Sequence, residues 1–354
     1  MLKFNKKLTL GLVLLTGISL GTAVPVVNAN AAAGPFYSYR WNHPYVHYYT
    51  NATSSYYKDV WAGAAKKWNN TGYFKYIATS DAGSKALFFS TASIPSSMNN
   101  AAHRGTLAYT STNQKGGSLI SNSKVTLIRD RVNKFNQGQR MGIAAHELGH
   151  AMGLAHNTQK SALMHWVFDG SQVNVTASDS GAAKLRYSTA AGTRRTTQFD
   201  YAHDSLFLTG ANEEQTDTVI DYDSTVNNVQ EMKEPSDTIV SGVIKSTQAT
   251  KDTHLSSDST TVPSTTQDLE VTNTLKGNNL NKKTIPVQFI GSDTNAVNGL
   301  KPLQKGTKVT FILSKSANKY DVVNSQYGAF VQSGKNSYIN LGTNNAISAN
   351  ELQK

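Results

Sequence analysis

The amino-acid sequence predicts an α+β fold for the first half of the chain and a small all-β module at its C-terminal end. Over residues 36–190, short strand patterns come first and helical patterns follow, which is typical of an α+β domain. Residues 196–283 are rich in Ser, Thr and Asp and favour a flexible spacer, and alternating apolar residues return from Thr284. We therefore expect a globular domain at 30–195, an acidic spacer at 196–283 and a small β module at 284–354.

The strands of the globular domain are predicted by runs of aromatic and β-branched residues. YVHYYT at 45–50 is the first, and FKYIAT, KALFFST, GTLAYT and KVTLIRD follow, with TNQKGGSLISNS as the longest expected loop. In the spacer, DTVIDYDSTV could form a lone strand. In the terminal module, strands are expected in TIPVQFIG, TKVTFIL, YGAFVQ and SYINLG.

Three helices are predicted in the same domain. The first follows Ser54 or Ser55 as N-cap, and its apolar residues recur at helical spacing. The second contains AAHELGHA and is expected to start near Gln139 or Arg140. The last spans 178–187, with Ser178 or Thr176 as its cap.

The N-terminus has the features of an export signal. Three lysines precede the apolar stretch LTLGLVLLTGISLG, and small residues then allow cleavage after Ala29 or Ala31. We therefore expect residues 1–29 to be a signal peptide; an uncleaved membrane anchor is the alternative, and no later segment is apolar enough to span a bilayer. The chain has no cysteine, which suits export from a Gram-positive-like bacterium, to the medium or the cell wall, better than a eukaryotic secretory route.

Charge divides the chain in the same places. Residues 30–195 have 18 Lys and Arg against 6 Asp and Glu, residues 196–283 have 6 against 14, and residues 284–354 have 7 against 3. A basic surface could bind nucleic acid, but no nucleic-acid motif is present. For an exported protein, anionic wall polymers or acidic substrates are the expected partners.

The segment HELGHAMGLAH, residues 146–156, predicts a metal site. His146 and His150 are four residues apart, so a helix places both imidazoles on one face. Gly153 permits a sharp turn at positive φ, which lets His156 return as a third ligand. Three imidazoles with an open fourth position are typical of a catalytic zinc site.

Glu147 follows the first histidine and flanks the metal-binding face. It can therefore act as general base on a water molecule at the metal and later protonate a leaving amine. A helix with chance histidines is the alternative, but the full pattern arises by chance in a chain of this composition in only about one case in 10⁵.

The same segment resembles the signature of the metzincin zinc endopeptidases, and SALMHW supplies Met164 for their methionine turn, as a hydrophobic floor under the ligands. ALM, GTLAYT and SDSGAAKLRY make the chain most similar to the matrixins. The resemblance covers residues 36–190. It implies a twisted, mostly parallel sheet with an antiparallel edge strand, an active-site helix, a methionine turn and a C-terminal helix, and peptide hydrolysis with the substrate added as a strand on that edge.

Some features depart from this family. Tyr109 stands where one ligand of a second, structural zinc is expected, and GGSLISNS lacks the other ligands. We therefore expect one zinc, and calcium is left open, since no motif supports it. Without cysteine, a cysteine-switch propeptide is impossible. His165 is expected to have a packing or surface role, and Asp179 a capping or bracing role at the methionine turn.

The terminal module resembles the surface-layer-type wall-binding modules of lactobacilli. The shared elements are Leu303-x-x-Gly-x-x-Val, then Tyr338-x-x-Leu-Gly-x-Asn and Ile347-x-Ala-Asn. The resemblance implies that residues 284–354 bind anionic wall polymers; a generic β module with another partner is the alternative.

Together these features predict a secreted, wall-associated zinc endopeptidase. Its metal ligands are His146, His150 and His156, its general base is Glu147, and its substrate is a protein or peptide. A hydrolase of peptidoglycan cross-bridges and a non-catalytic surface adhesin are the alternatives.

Overall fold

A computed structural model describes residues 33–51, 54–93, 105–116, 118–193, 195, 215–223, 229–233, 236–248, 251–254, 261–292, 295–297, 301–342 and 345–353. The predicted signal peptide at 1–29 lies outside these residues. In the described part of the chain, no helix is long and apolar enough to cross a membrane.

The elements up to residue 195 follow the predicted order. The strands are β1 Tyr45–Thr50, β2 Lys75–Ala78, β3 Ala86–Thr91, β4 Thr106–Lys115, β5 Leu119–Ile128 and β6 Val167–Phe168. The helices are α1 Ser55–Asn69, α2 Arg129–Val132, α3 Gln137–Ala151 and α4 Ala177–Ser188.

Helix α1 forms as its sequence pattern predicts. Ser54 is the N-cap, and its side chain accepts a hydrogen bond from the Tyr57 backbone N–H. The predicted apolar stripe is buried, and it consists of Tyr57, Val60, Trp61, Ala64, Ala65 and Trp68.

The strands of this region form a mixed sheet in the order β4-β5-β3-β1-β2. β1 pairs in parallel with β2 and β3, and β3 pairs in parallel with β5. β4 pairs antiparallel with β5. The expected mostly parallel sheet with an antiparallel strand is therefore confirmed, but the expectation that this strand forms the edge is wrong, because β4 also pairs with Gln215–Asp223.

Two details of this region differ from expectation. The predicted long loop at 112–123 is instead a β4–β5 hairpin with a short turn, because its polar side chains pair across the strands; Asn113 donates to Asn122 at 3.1 Å. The histidine helix begins at Gln137, because Asn136 and Gln139 form a reciprocal capping box.

The second half of the chain is mainly strand. The strands are β7 Gln215–Asp223, β8 Thr238–Thr247, β9 Lys251–His254, β10 Thr261–Lys276, β11 Thr284–Ile290, β12 Asn295–Val297, β13 Lys308–Ser316, β14 Lys319–Val322, β15 Ala329–Gln332, β16 Ser337–Asn340 and β17 Ala346–Ser348. Two short helices, α5 Val229–Lys233 and α6 Ala349–Gln353, accompany them.

Most of these strands form a second sheet, in the order β14-β11-β10-β8-β13-β15-β16-β17, with β9 paired to β10. The expectation of a flexible spacer throughout 196–283 is therefore wrong for β8, β9 and β10. β10 was not predicted as a strand because polar residues occupy some of its buried positions. Thr265 donates to the Gly291 carbonyl at 2.7 Å, and Gln267 donates to the Leu303 carbonyl at 2.6 Å, so both are buried with partners.

β7 belongs to the first sheet, although it comes from the predicted spacer. It pairs antiparallel with β4 and in parallel with β6. The segment DTVIDYDSTV thus contributes a paired strand, and β4 is no longer the outer strand.

Candidate active site

The centre of the site is helix α3. Three buried aromatic side chains form hydrogen bonds with its backbone. Each side chain donates a hydrogen bond to a carbonyl group on α3. Trp68 Nε1 donates to Ala145 at 2.7 Å, Tyr76 OH to Leu148 at 2.5 Å and Trp41 Nε1 to Ala151 at 2.8 Å. These contacts fix the helix against α1 and the sheet, so the side chains on its other face are held in position.

The three predicted metal ligands meet at the C-terminal end of α3. The ring nitrogens that His146, His150 and His156 offer all lie within 4.8 Å of one another. Gly153 has a φ of 101°, and a Cβ there would overlap the Tyr39 carbonyl oxygen. The glycine therefore allows the chain to turn back towards His150, as the sequence predicted.

The hydrogen bonds of two rings fix their tautomers. Nδ1 of His146 lies 2.5 Å from the Leu163 carbonyl oxygen, and Nδ1 of His150 lies 2.8 Å from the Leu154 carbonyl oxygen. A carbonyl oxygen only accepts hydrogen bonds, so each Nδ1 carries the proton and each Nε2 presents a lone pair.

These two Nε2 atoms are 2.9 Å apart. Two lone pairs at that distance repel each other unless a proton or a metal ion lies between or beside them. A divalent metal satisfies both nitrogens, and backbone carbonyls that orient ligating imidazoles through their other nitrogen are the usual arrangement around zinc. The donor set therefore fits a zinc ion held by three imidazoles.

Glu147 is fully buried beside this cluster. The Thr110 hydroxyl donates to its Oε2 at 2.5 Å and lies 3.2 Å from its backbone oxygen. β4 thereby fixes the carboxylate, and the contact joins the sheet directly to α3. A carboxylate held next to a metal centre can accept a proton from a bound water molecule.

The methionine turn lies beneath the ligands, as expected. Met164 is buried, and a Cβ on Gly149 of α3 would overlap its Sδ atom. The buried Asp179 carboxylate accepts hydrogen bonds from the backbone N–H groups of Leu163 at 2.8 Å and Met164 at 3.2 Å. It also caps α4 through Thr176, so it fills both roles predicted for it.

His165 is buried and stacks on Trp166, with ring centroids 4.3 Å apart. Burial lowers its pKa, because desolvation disfavours the charged imidazolium. The packing role expected for this residue is therefore confirmed.

The contact that sequence reasoning missed is the one from Thr110 to Glu147. Small residues alternate along β4 at Thr106, Ala108 and Thr110, and all are buried. Such alternation leaves space for a helix against the strand and could have indicated that Thr110 faces α3.

Residues 41–188 match the sequence model of the matrixin family. With the three-histidine cluster, this match supports a matrixin-like metzincin domain over these residues and, with it, a zinc metalloprotease. No curated protein matches the chain significantly.

Proposed function

We propose that the protein is a zinc-dependent endopeptidase in which Glu147 is the general base and acid. The observation that carries this proposal is the pair of Nε2 lone pairs of His146 and His150, 2.9 Å apart, with His156 and the buried Glu147 beside them. A purely structural zinc site would complete its four ligands from the protein.

When bound there, zinc lowers the pKa of a water molecule towards neutrality and polarises a carbonyl group. His146 and His150 would hold the ion through their Nε2 atoms, and His156 through one of its ring nitrogens. Glu147 takes the proton of the attacking water and delivers it to the amine that leaves. Thr110 holds the Glu147 carboxylate in position for both transfers.

The substrate is an extended segment of protein or peptide. The side of β4 that faces away from β5 is paired with β7, and an extended substrate that displaces β7 can pair with the same backbone groups as an added strand. This arrangement brings the scissile bond past Thr110 and therefore close to Glu147 and the three histidines.

We further propose that the protein is exported and retained on the cell wall. The signal-like segment at 1–29 and the basic balance of residues 284–354 support this. In the module, Leu303 and Val309 are buried and Gly306 turns the chain with a φ of 92°, so these motif residues build the sheet. Exposed lysines, such as Lys308, are available to bind anionic polymers.

The test compares the full chain with its Glu147→Ala and His150→Ala variants on casein and on purified cell wall, with zinc content measured for each. The proposal expects the wild type to bind zinc and cut casein, Glu147→Ala to bind zinc without cutting, and His150→Ala to lose zinc. Solubilisation of cell wall without cleavage of casein would favour the cross-bridge hydrolase. Zinc binding without any cleavage would favour the adhesin, and no zinc in the wild type would refute the metal centre.

A further inference from the structure

The outer side of β4, where the proposed function places the substrate, is occupied by β7. The pairing runs from Gln114 opposite Gln215 to Thr106 opposite Tyr222, so it covers almost the whole of β4. Without β7, β4 would be the edge strand of the sheet and its backbone groups would be open to any extended segment.

β7 also passes beside the catalytic carboxylate. Thr110, whose hydroxyl donates to Glu147, is paired with Val219. A few residues later, Tyr222 and Asp223 pair in parallel with Val167 and Phe168 of β6, which follows the methionine turn. β7 therefore has backbone partners on both segments that flank the site.

The second half of the chain supports β7 in this position. β12 pairs in parallel with β7 at Thr216–Thr218. Tyr109 and Trp166 share a buried apolar cluster with Tyr327 and Phe330 of the second half, and Tyr327 OH donates to the Trp166 carbonyl at 3.4 Å. The second half of the chain thus contacts β4 and the segment next to β6, which are the two segments that pair with β7.

The charges of the two parts of the chain also favour the position of β7 on β4. The segment at 213–223, EEQTDTVIDYD, has five acidic residues and no basic one, whereas residues 30–195 have 18 Lys and Arg against 6 Asp and Glu. Opposite charges favour association of a tethered segment with the domain that it covers. Because the segment is part of the same chain, its effective concentration at the cleft is high.

We propose that Gln215–Asp223 is a built-in occupant of the substrate cleft, which lowers the cleavage rate of the wild-type chain by pairing with β4. The proposal rests on the proposed function, because it takes β4 as the substrate-binding edge. It needs no cysteine, and the only partners it requires are backbone groups of β4 and β6. Substrate then competes with β7, and the cleavage rate depends on the fraction of chains in which β7 has left β4.

The position of β7 can be tested by crosslinking, without an activity assay. In the Glu147→Ala background, Ser111→Cys and Thr218→Cys place two cysteines on directly opposed residues of β4 and β7. Opposed residues in antiparallel strands have the spacing that a disulfide needs, and the chain has no other cysteine. Mild oxidation should crosslink most of the protein. The control, Ser111→Cys with Gln215→Cys, places the second cysteine three residues out of register and should remain reduced.

The inhibition is tested with Val219→Pro in the otherwise unaltered chain. Proline removes the backbone N–H at the centre of β7 and disfavours its pairing with β4. We expect kcat/KM on casein to rise by about tenfold, because more chains have an open cleft. Val219→Ala keeps the backbone N–H and should stay within about twofold of the wild type. Tryptophan fluorescence checks that the catalytic region remains folded.

The outcomes separate the two proposals. Poor crosslinking at 111 and 218, or an unchanged rate for Val219→Pro, overturns the tethered strand even if the wild type is an active protease. Efficient crosslinking with no cleavage by any variant upholds the position of β7 and overturns the proposed function, and the inhibition with it. Efficient crosslinking together with a faster Val219→Pro variant supports both.

Discussion

Replacing Asp179 with alanine should destabilise the catalytic region more than any other single change at the methionine turn. Asp179 is fully buried, and its carboxylate accepts hydrogen bonds from Leu163 N, Met164 N, Thr176 N and Thr176 Oγ1. The alanine variant removes all four bonds at once and leaves two buried N–H groups of the turn without their acceptor.

The cost follows from the kinds of bond lost. A buried donor that loses its partner costs about 1–3 kcal/mol, and the two turn N–H groups are both of this kind. Loss of the interactions at the N-terminus of α4 adds about 0.5–2 kcal/mol. Because the bonds share one acceptor, their effects are not additive, and we expect a total of about 3–5 kcal/mol. Asp179→Asn keeps one acceptor oxygen and should lose about half of this amount.

The assay is urea unfolding in the Glu147→Ala background, which prevents self-cleavage, with tryptophan fluorescence as the probe. The four tryptophans, at positions 41, 61, 68 and 166, lie within the catalytic region, so their fluorescence follows its unfolding. Asp59→Ala, which alters an exposed residue of α1, is the matched control and should change stability by less than about 0.5 kcal/mol. A loss below about 1 kcal/mol for Asp179→Ala would refute the bracing role.

Three further predictions concern the metal centre. Thr110→Val removes the donor to Glu147 and should lower kcat about tenfold with zinc content unchanged, whereas Thr110→Ser should keep near wild-type activity, measured on casein. Gly149→Ala places a methyl group against Met164; about 1–3 kcal/mol of overpacking outweighs the gain in helix propensity, so a higher urea midpoint would contradict the close approach. Removal of zinc by a chelator should lower the melting temperature, since saturation at 1,000 times Kd contributes about 4.1 kcal/mol, and a melting curve unaffected by chelation and zinc readdition would count against a zinc site.

The site was predictable because its key relations are local in the sequence. His146 and His150 share a helix face at any place where their segment is helical, and Gly153 turns the chain wherever its φ is positive. Short separations leave few alternatives for the side chains, so residue type and spacing alone define a three-imidazole cluster with Glu147 beside it. The stripe of α1 and the role of Asp179 at the turn were predictable for the same reason.

The features that the sequence did not indicate depend on partners far along the chain. Nothing in YVHYYT, GTLAYT or DTVIDYDSTV indicates that β7 will pair with β4. The backbone groups that join two strands are the same in every residue except proline, so they do not distinguish one partner strand from another. Likewise, Thr265 and Gln267 read as spacer residues until the Gly291 and Leu303 carbonyls supply their buried hydrogen bonds. The sequence by itself determined the chemistry of the centre, through local spacing and ligand type. Only the tertiary structure decided which strand occupies the edge beside it, because that choice depends on long-range backbone pairing and on the packing of the second half of the chain.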